Sequence, residues 1–106
     1  MNNFINISDL SKSELRLIID NAKMKKSERG NKPHSQPDSH EPLKGKTMIM
    51  IFEKTSTRTR ISFDLAIKQL GGSSIILNQD EIHYGKGDET IKDTAKVLSQ
   101  YADIIM

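Results

Sequence analysis

No cysteine occurs among the 106 residues, which excludes disulfides, a thiolate nucleophile and any cysteine-ligated metal site. Aromatic residues are also few, with two tyrosines and three phenylalanines, and the formal net charge is only +2. This composition argues against a nucleic-acid-binding domain, which needs a basic face and, for single strands, aromatic stacking platforms.

Long apolar stretches are absent as well. No run approaches the roughly 20 residues that a membrane span needs. The opening MNNFINISDL lacks the basic start and the apolar stretch of a secretory signal. From these absences and the length of the chain we expect a cytoplasmic protein with at most one small domain.

A first helix is predicted after Ser11. Ser11 and Glu14 have the spacing of a capping box, in which each side chain accepts a hydrogen bond from the other residue's backbone N–H. One apolar face has the spacing of a buried helix face and consists of Leu15, Ile18, Ile19 and Ala22. The helix is expected to fade over residues 23–30.

Residues 25–42 are predicted to form a loop, because they contain Gly30 and all three prolines of the chain. His34 and His40 lie in this loop and are interpreted as solvated side chains, since no other ligand spacing supports a metal site. The basic cluster within residues 23–32 is interpreted as a solvated helix end, where cations suit the negative end of the helix dipole.

The rest of the sequence alternates between strands and helices. Residues 46–52 end in an apolar run typical of a strand buried on both faces of a parallel sheet. The next helix has one apolar face and is stopped by the glycine pair 71–72. Its predicted buried residues are Phe63, Ala66, Ile67 and Leu70.

A second strand is predicted at residues 73–78, followed by a polar loop at 79–88. A third helix is predicted from about residue 89 to 101, and a third strand opens at 103–106. Thr90 and Asp93 form a possible capping pair, and the predicted helix face consists of Ile91, Thr94, Ala95 and Leu98. The predicted fold class is therefore α/β, a parallel sheet with flanking helices in the order α-β-α-β-α-β.

The turn between the first strand and the second helix concentrates groups that bind anions. Residues 55–60, TSTRTR, place four hydroxyl side chains and two arginines beyond the carboxyl end of a strand, where ligands of open α/β sheets bind. A helix N-terminus there offers free N–H groups and a partial positive charge. Ser56 and Thr57 can cap the helix or donate to phosphate oxygens, and Arg58 can add a charged, forked contact.

A simpler interpretation stays open, because Ser and Thr at a helix start are often only caps and an arginine there is often only exposed. Arg58 and Arg60 discriminate between the two interpretations. The N-terminus of a helix is unfavourable for positive charge, so two arginines at this position require a compensating anion.

The segment FEKTSTRTRISFD, residues 52–64, resembles the carbamoyl-phosphate signature of the aspartate/ornithine carbamoyltransferase family. GDETIKDTAKVLSQYADIIM, residues 87–106, resembles the following stretch of that family. The resemblance covers about residues 11–106, and FEK and DTAKVL are similar to the ornithine branch. It implies that residues 1–106 are a partial carbamoyl-phosphate-binding domain, with the ornithine-binding domain absent from this chain. The ending IIM, in mid-strand, likewise suggests a piece of a longer protein.

The resemblance also implies an activity: the complete protein transfers the carbamoyl group from carbamoyl phosphate to L-ornithine, giving L-citrulline and phosphate in arginine biosynthesis. This chain alone is expected to be inactive. By the same resemblance, Ser56, Thr57 and Thr59 hold the phosphate, and Arg58 bridges phosphate and carbamoyl oxygen as the catalytic residue. Arg60 is expected to be structural. No metal or organic cofactor is implied, and the expected partners are the two substrates and further copies in a homotrimer, with no nucleic acid and no membrane.

His83, in the loop of residues 79–88, is implied by the resemblance to contact phosphate in a neighbouring subunit's site. The alternative is an ordinary surface histidine. Lys86 matches the family pattern less clearly than His83: it resembles either the arginine of the ornithine branch's Gly-Arg-Gly or the loop lysine of the aspartate branch. Two departures from the family pattern are a longer loop at residues 32–43 and Asp88, one extra residue that leaves the register of the 79–88 loop open.

Two other functions stay open at this point. The second substrate rests on branch similarity alone, so a carbamoyltransferase for aspartate, putrescine or another amine is an alternative. The other is a non-catalytic module that binds phosphate or joins subunits.

Overall fold

The computed structural model describes residues 3–54, 56–82 and 90–106, except for the side chain of Glu81. The chain divides into two compact units, Met1–Lys32 and Pro33–Met106. None of the described helices combines the length and the apolar character of a membrane span.

The first unit is built around one helix, α1 (Lys12–Arg29), which follows a 3-10 turn at Ile7–Asp9. The predicted capping box is present. The Ser11 hydroxyl oxygen accepts from the backbone N–H of Glu14 at 3.1 Å, and the Ser11 N–H donates to the Glu14 carboxylate at 2.9 Å. The start of α1 thus depends only on residues within one helical turn.

The end of α1 differs from the prediction. The helix does not fade over residues 23–30 but continues to Arg29, because the lysines and Met24 of this stretch favour helix and no glycine or proline interrupts it. Gly30 ends it with a φ of +60°, a conformation that glycine adopts without the strain a side chain would add.

The predicted buried face of α1 is wrong. No residue of the helix is buried: Leu15 is half-buried, and Ile18, Ile19 and Ala22 are exposed. Periodicity identifies which face is apolar, but burial needs a second layer of structure against it. In the described part of the first unit, the 3-10 turn is the only other helical segment, which is too small to form such a layer.

The second unit contains a three-stranded parallel sheet, which confirms the predicted fold class. Its strands are β1 (Thr47–Phe52), β2 (Ser73–Asn78) and β3 (Ile104–Ile105), in the order β2-β1-β3. β1 therefore has a hydrogen-bonded neighbour on each side. In register, Phe52 pairs with Asn78 and Met48 pairs with Ile104.

The core lies on the central strand. Met48, Ile49 and Met50 are all buried, and alternate side chains of a strand point to opposite faces, so burial on both faces is confirmed for this stretch. Met48 and Met50 form one cluster with Ile67 of the following helix.

That helix, α2 (Thr57–Gln69), has a smaller buried face than predicted. Only Ile67 is buried; Leu70 is half-buried, and Phe63 and Ala66 are exposed. The end of the helix lies close to the sheet, since a Cβ at Gly72 would be 2.8 Å from Ile67 Cδ1 and 3.0 Å from the Lys46 carbonyl oxygen. Periodicity predicted which face is apolar, but among the described residues no second element covers the part that contains Phe63 and Ala66.

The loop predicted at residues 25–42 begins later than expected, because residues 25–29 belong to α1; residues 30–42 form turns and bends, as predicted. Part of this segment is hydrogen-bonded to the end of α2. The N–H groups of Asp38 and Leu43 donate to the carbonyls of Gln69 and Leu70 at 2.8 and 2.9 Å. These are carbonyls that a helix end leaves without partners inside the helix. The predicted exposure of His34 and His40 is confirmed, and the His34 carbonyl accepts from the Gln69 side-chain amide.

The last helix, α3 (Ile91–Ser99), is shorter than predicted; residue 89 lies outside the described residues. The predicted capping pair is partly confirmed, since the Thr90 side chain accepts from the N–H of Asp93 at 3.0 Å. Of the predicted face, Thr94 is buried and Leu98 half-buried, whereas Ile91 and Ala95 are exposed. A nine-residue helix beside a narrow sheet covers only part of its apolar face.

Candidate anion site at the start of the second helix

The turn of residues 55–60 lies at the carboxyl edge of the parallel sheet, as predicted. β1 ends at Phe52 and α2 begins at Thr57, with Ser56 as its N-cap residue; Thr55 lies outside the described residues. Phe52 pairs in register with Asn78, the last residue of β2. The segment that follows β2 therefore leaves the sheet at the same edge, on a strand about 4.8 Å away.

Ser56 does not make the cap hydrogen bond that its position predicts. Its hydroxyl donates to Oγ1 of Thr59 at 3.1 Å, and no side-chain cap bond forms at this helix start. The Ser56 carbonyl accepts from the N–H of Arg60, as a helix start requires. The first N–H groups of a helix have no partner inside it, so those at the start of α2 are left for solvent or a ligand.

Two cations occupy this positive end of the helix dipole. Arg58 and Arg60 are exposed, and the first turn contains no acidic residue. Within the described residues, neither guanidinium has a hydrogen-bonded or ion-paired partner, although the charge of Arg60 contributes to lowering the pKa of Asp64 one turn later. Arg58 lies nearer to the start of the helix, where the dipole acts most strongly, so its position most needs an external anion.

Asp64 connects α2 to β2. One of its carboxylate oxygens accepts from the hydroxyl of Ser74, and the other accepts from Lys68 Nζ at 3.1 Å. The hydrogen bond from Ser74 is the main reason that the pKa of Asp64 lies below its ordinary value; burial opposes the shift, and Lys68 and Arg60 add to it. Asp64 is thus ionised at neutral pH, with its charge near Arg60.

The predicted site residues Ser56, Thr57, Arg58 and Thr59 lie together in the first turn of α2. Ser56 is half-buried and the other three are exposed, so all four border solvent. His83 and Lys86 belong to residues 83–89, which lie outside the described residues. They are preceded by a 3-10 turn, Gln79–Glu81, which begins directly after β2 at the same edge of the sheet.

In the part of the chain that the structure describes, no three histidine or acidic side chains lie close enough together to hold a metal ion.

Sequence reasoning missed the link between Asp64 and Ser74. Asp64 and Lys68 have the i, i+4 spacing of a helical ion pair, a signal that was present in the sequence. The cross-link to Ser74 had no such signal, because it depends on how α2 lies across β2.

Comparison with known proteins agrees with this geometry. A family model described as "Aspartate/ornithine carbamoyltransferase, carbamoyl-P binding domain" matches residues 2–106. The ornithine carbamoyltransferase of Paracoccus denitrificans is 48% identical over 106 residues, which are 100% of this chain and 34% of that protein. The chain thus spans about a third of the length of the curated relatives it matches.

Solved structures show the same likeness. The anabolic ornithine carbamoyltransferase from Campylobacter jejuni matches with a TM-score of 0.83 and 37% identity, covering 100% of this chain and 32% of that one. The catalytic subunit of M. jannaschii aspartate transcarbamoylase matches with a TM-score of 0.79 and 34% identity, covering 99% of this chain and 33% of that one.

The fold and the turn define an α/β unit with a candidate anion site at the carboxyl edge of a parallel sheet. The chain belongs to the aspartate/ornithine carbamoyltransferase family, and the match is to its carbamoyl-phosphate-binding domain. The family resemblance of the TSTRTR turn and of residues 87–106 is thereby confirmed.

Proposed function

We propose that residues 1–106 are part of a carbamoyl-phosphate-binding domain, and that the complete protein transfers the carbamoyl group of carbamoyl phosphate to L-ornithine. The products are L-citrulline and phosphate. The observation that carries the proposal is Arg58, an exposed cation without a described partner beside an uncapped helix N-terminus. The similarity to ornithine carbamoyltransferases supports ornithine as the amine.

In this proposal the first turn of α2 holds the phosphate group. Its backbone N–H groups and the hydroxyls of Ser56, Thr57 and Thr59 donate to phosphate oxygens. Arg58 bridges a phosphate oxygen and the carbamoyl oxygen through its planar guanidinium. Arg60 has a structural role in this proposal.

The chemistry needs positioning and charge stabilisation rather than a protein nucleophile. The uncharged δ-amine of ornithine attacks the carbamoyl carbon, and the carbon–oxygen bond to phosphate breaks. The amine nitrogen loses a proton, which the departing phosphate takes up as hydrogen phosphate. Arg58 stabilises negative charge on the carbamoyl oxygen in the tetrahedral intermediate and on the departing phosphate. Such placement of two reactants and of developing charge accounts for most of the acceleration in transfers of this type.

The rest of the site comes from outside the described residues. We propose that the ornithine-binding domain lies outside this chain and that the complete protein works as a homotrimer in the cytoplasm. In that trimer the loop of residues 79–88 brings His83 to the phosphate of a neighbouring subunit's site.

A second candidate is a carbamoyltransferase for aspartate. The similarity to M. jannaschii aspartate transcarbamoylase, at 34% identity, favours keeping it. The two candidates share the carbamoyl-phosphate half of the reaction and differ only in the amine.

A panel of amines tests the proposal. The complete protein is supplied with carbamoyl phosphate and with L-ornithine, L-aspartate or putrescine in turn, and the carbamoylated product is measured for each. We expect citrulline to form at the highest kcat/KM. A higher kcat/KM with aspartate or putrescine would show that the protein is a carbamoyltransferase for that amine instead. Absence of product with every amine, with phosphate binding retained, would point to a non-catalytic module.

A further inference from the structure

α2 is attached to the sheet through its C-terminal half. Residues 57–63 are all exposed, whereas Asp64 and Leu65 are half-buried and Ile67 is buried. At the far end, the carbonyls of Gln69 and Leu70 accept hydrogen bonds from the preceding loop. The turn that carries the candidate anion site therefore extends beyond the attached part of its own helix.

The bond between Asp64 and Ser74 is the described cross-link from α2 to the sheet that lies nearest to this turn. Asp64 is seven residues after Thr57, which is about 10 Å along a helix axis. Residues seven apart lie almost on the same helix face, and residues four apart are neighbours on it. Asp64 thus shares a face with Thr57 and Arg60.

The two kinds of attachment constrain the helix differently. The contact of Ile67 with Met48 and Met50 is apolar, and such contacts are not directional. A hydrogen bond is directional and weakens when the helix rotates. The hydrogen bond from Ser74 therefore adds a directional restraint on the rotation of α2 about its axis.

We infer that Asp64, held by Ser74, is a positioning residue for the carbamoyl-phosphate site: it restrains the rotation of α2, so that the first-turn N–H groups and Arg58 face the phosphate. This inference rests on the proposed function of the TSTRTR turn. Asp64 itself does not touch the substrate.

The test measures binding of inorganic phosphate and of carbamoyl phosphate to the complete protein by isothermal titration calorimetry, together with kcat and KM. Ser74→Ala removes the donor and Asp64→Ala removes the acceptor. Because small misplacements of binding groups weaken a site strongly, we expect each variant to raise the Kd for phosphate about five- to ten-fold. The double variant should have a Kd for phosphate no higher than that of either single variant, since all three variants break the same hydrogen bond.

Two further variants separate positioning from simple stability. Ser74→Thr keeps a hydroxyl and should restore most of the affinity. Lys68→Gln removes the other partner of Asp64 but leaves the link to β2, and it should change the Kd less than about two-fold, because an ion pair within one helix does not set its rotation. Melting temperatures are measured for every variant, and titrations are run far below them.

The outcomes distinguish this inference from the proposed function. If Arg58→Ala loses phosphate binding while Ser74→Ala and Asp64→Ala lower only the melting temperature, the positioning role is wrong and the phosphate site stands. If Arg58→Ala binds phosphate as well as the unaltered protein, the site itself is misplaced and the inference fails with it.

Discussion

The hydroxyl of Ser56 donates to Oγ1 of Thr59, 3.1 Å away, within the first turn of α2. Ser56 stands at the N-cap position but provides no side-chain cap, so the alternative interpretation that it only caps the helix is not supported. The two hydroxyls hold each other beside backbone N–H groups that lack partners inside the helix. In this arrangement a bound anion can accept hydrogen bonds from several donors at once.

Arg58 is expected to be necessary for activity. Arg58→Ala in the complete protein should lower kcat/KM about 100-fold or more, because it removes a donor aimed at developing charge. Arg58→Lys should also be poor, since an ammonium cannot make the forked contact. Steady-state assays of citrulline formation measure both. Arg16→Ala, which alters an exposed arginine paired with Asp20 on α1, is the matched control and should leave activity unchanged. Near-normal turnover by Arg58→Ala would contradict the assignment.

The active site is expected to be shared between subunits of a trimer. Light scattering of the complete protein should give three times the subunit mass. If His83 acts in a neighbour's site, then mixing inactive Arg58→Ala and His83→Ala subunits after dissociation should restore part of the activity, because some sites then receive both intact residues. A monomer with full activity would rule this arrangement out.

Gly72 is expected to be required for the junction between α2 and β2. An alanine Cβ there would lie 2.8 Å from Ile67 Cδ1 and 3.0 Å from the Lys46 carbonyl oxygen. Since the backbone oxygen cannot move aside cheaply, Gly72→Ala should lower the free energy of unfolding by about 1–3 kcal/mol. Thermal unfolding measures the change. Ala66→Ser, an exposed substitution on the same helix, should stay within about 0.5 kcal/mol, and equal effects of the two would refute the steric argument.

The stability that Asp64 contributes is expected to depend on pH in one direction. Its pKa is lowered in the folded protein, first by the hydrogen bond from Ser74, so folding favours the ionised form. The contribution is therefore fully present above the ordinary aspartate pKa and is lost as the pH falls through the lowered value. Melting temperatures of the unaltered protein and of Asp64→Asn should differ at neutral pH and converge in acid. A gap that widens in acid would show that the sign is wrong.

The chain by itself is expected to bind phosphate weakly without catalysis. If the isolated 106 residues fold, the Kd should be near 1 mM, because one phosphate-binding turn lacks the neighbouring subunit and the second domain. Phosphate should shift the NMR amide signals of Ser56–Arg60 most, and no citrulline should form. Shifts centred on residues 23–32 would place the anion elsewhere, and citrulline from this chain alone would contradict the need for a second domain.

Features that depend on near neighbours were predictable from the sequence. The capping box of Ser11 and Glu14, the cap of Thr90 on α3 and the stop after Leu70 each involve residues a few positions apart. The apolar stretch in β1 predicted a strand buried on both faces for the same reason, since its composition and length are local properties. The TSTRTR turn was likewise predicted at the carboxyl edge of the sheet, because strand direction and helix order determine that edge.

The tertiary structure alone decided which apolar faces are covered and how the site is held. Ile18 and Phe63 have the spacing of buried residues yet are exposed, because periodicity does not say whether a second layer packs against a face. The link between Asp64 and Ser74 depends on the rotation and placement of α2 over β2. The pairing of Phe52 with Asn78 depends on the register between β1 and β2. These relations join residues brought together only when separate elements pack, and the chemistry of neighbouring positions contains no information about them.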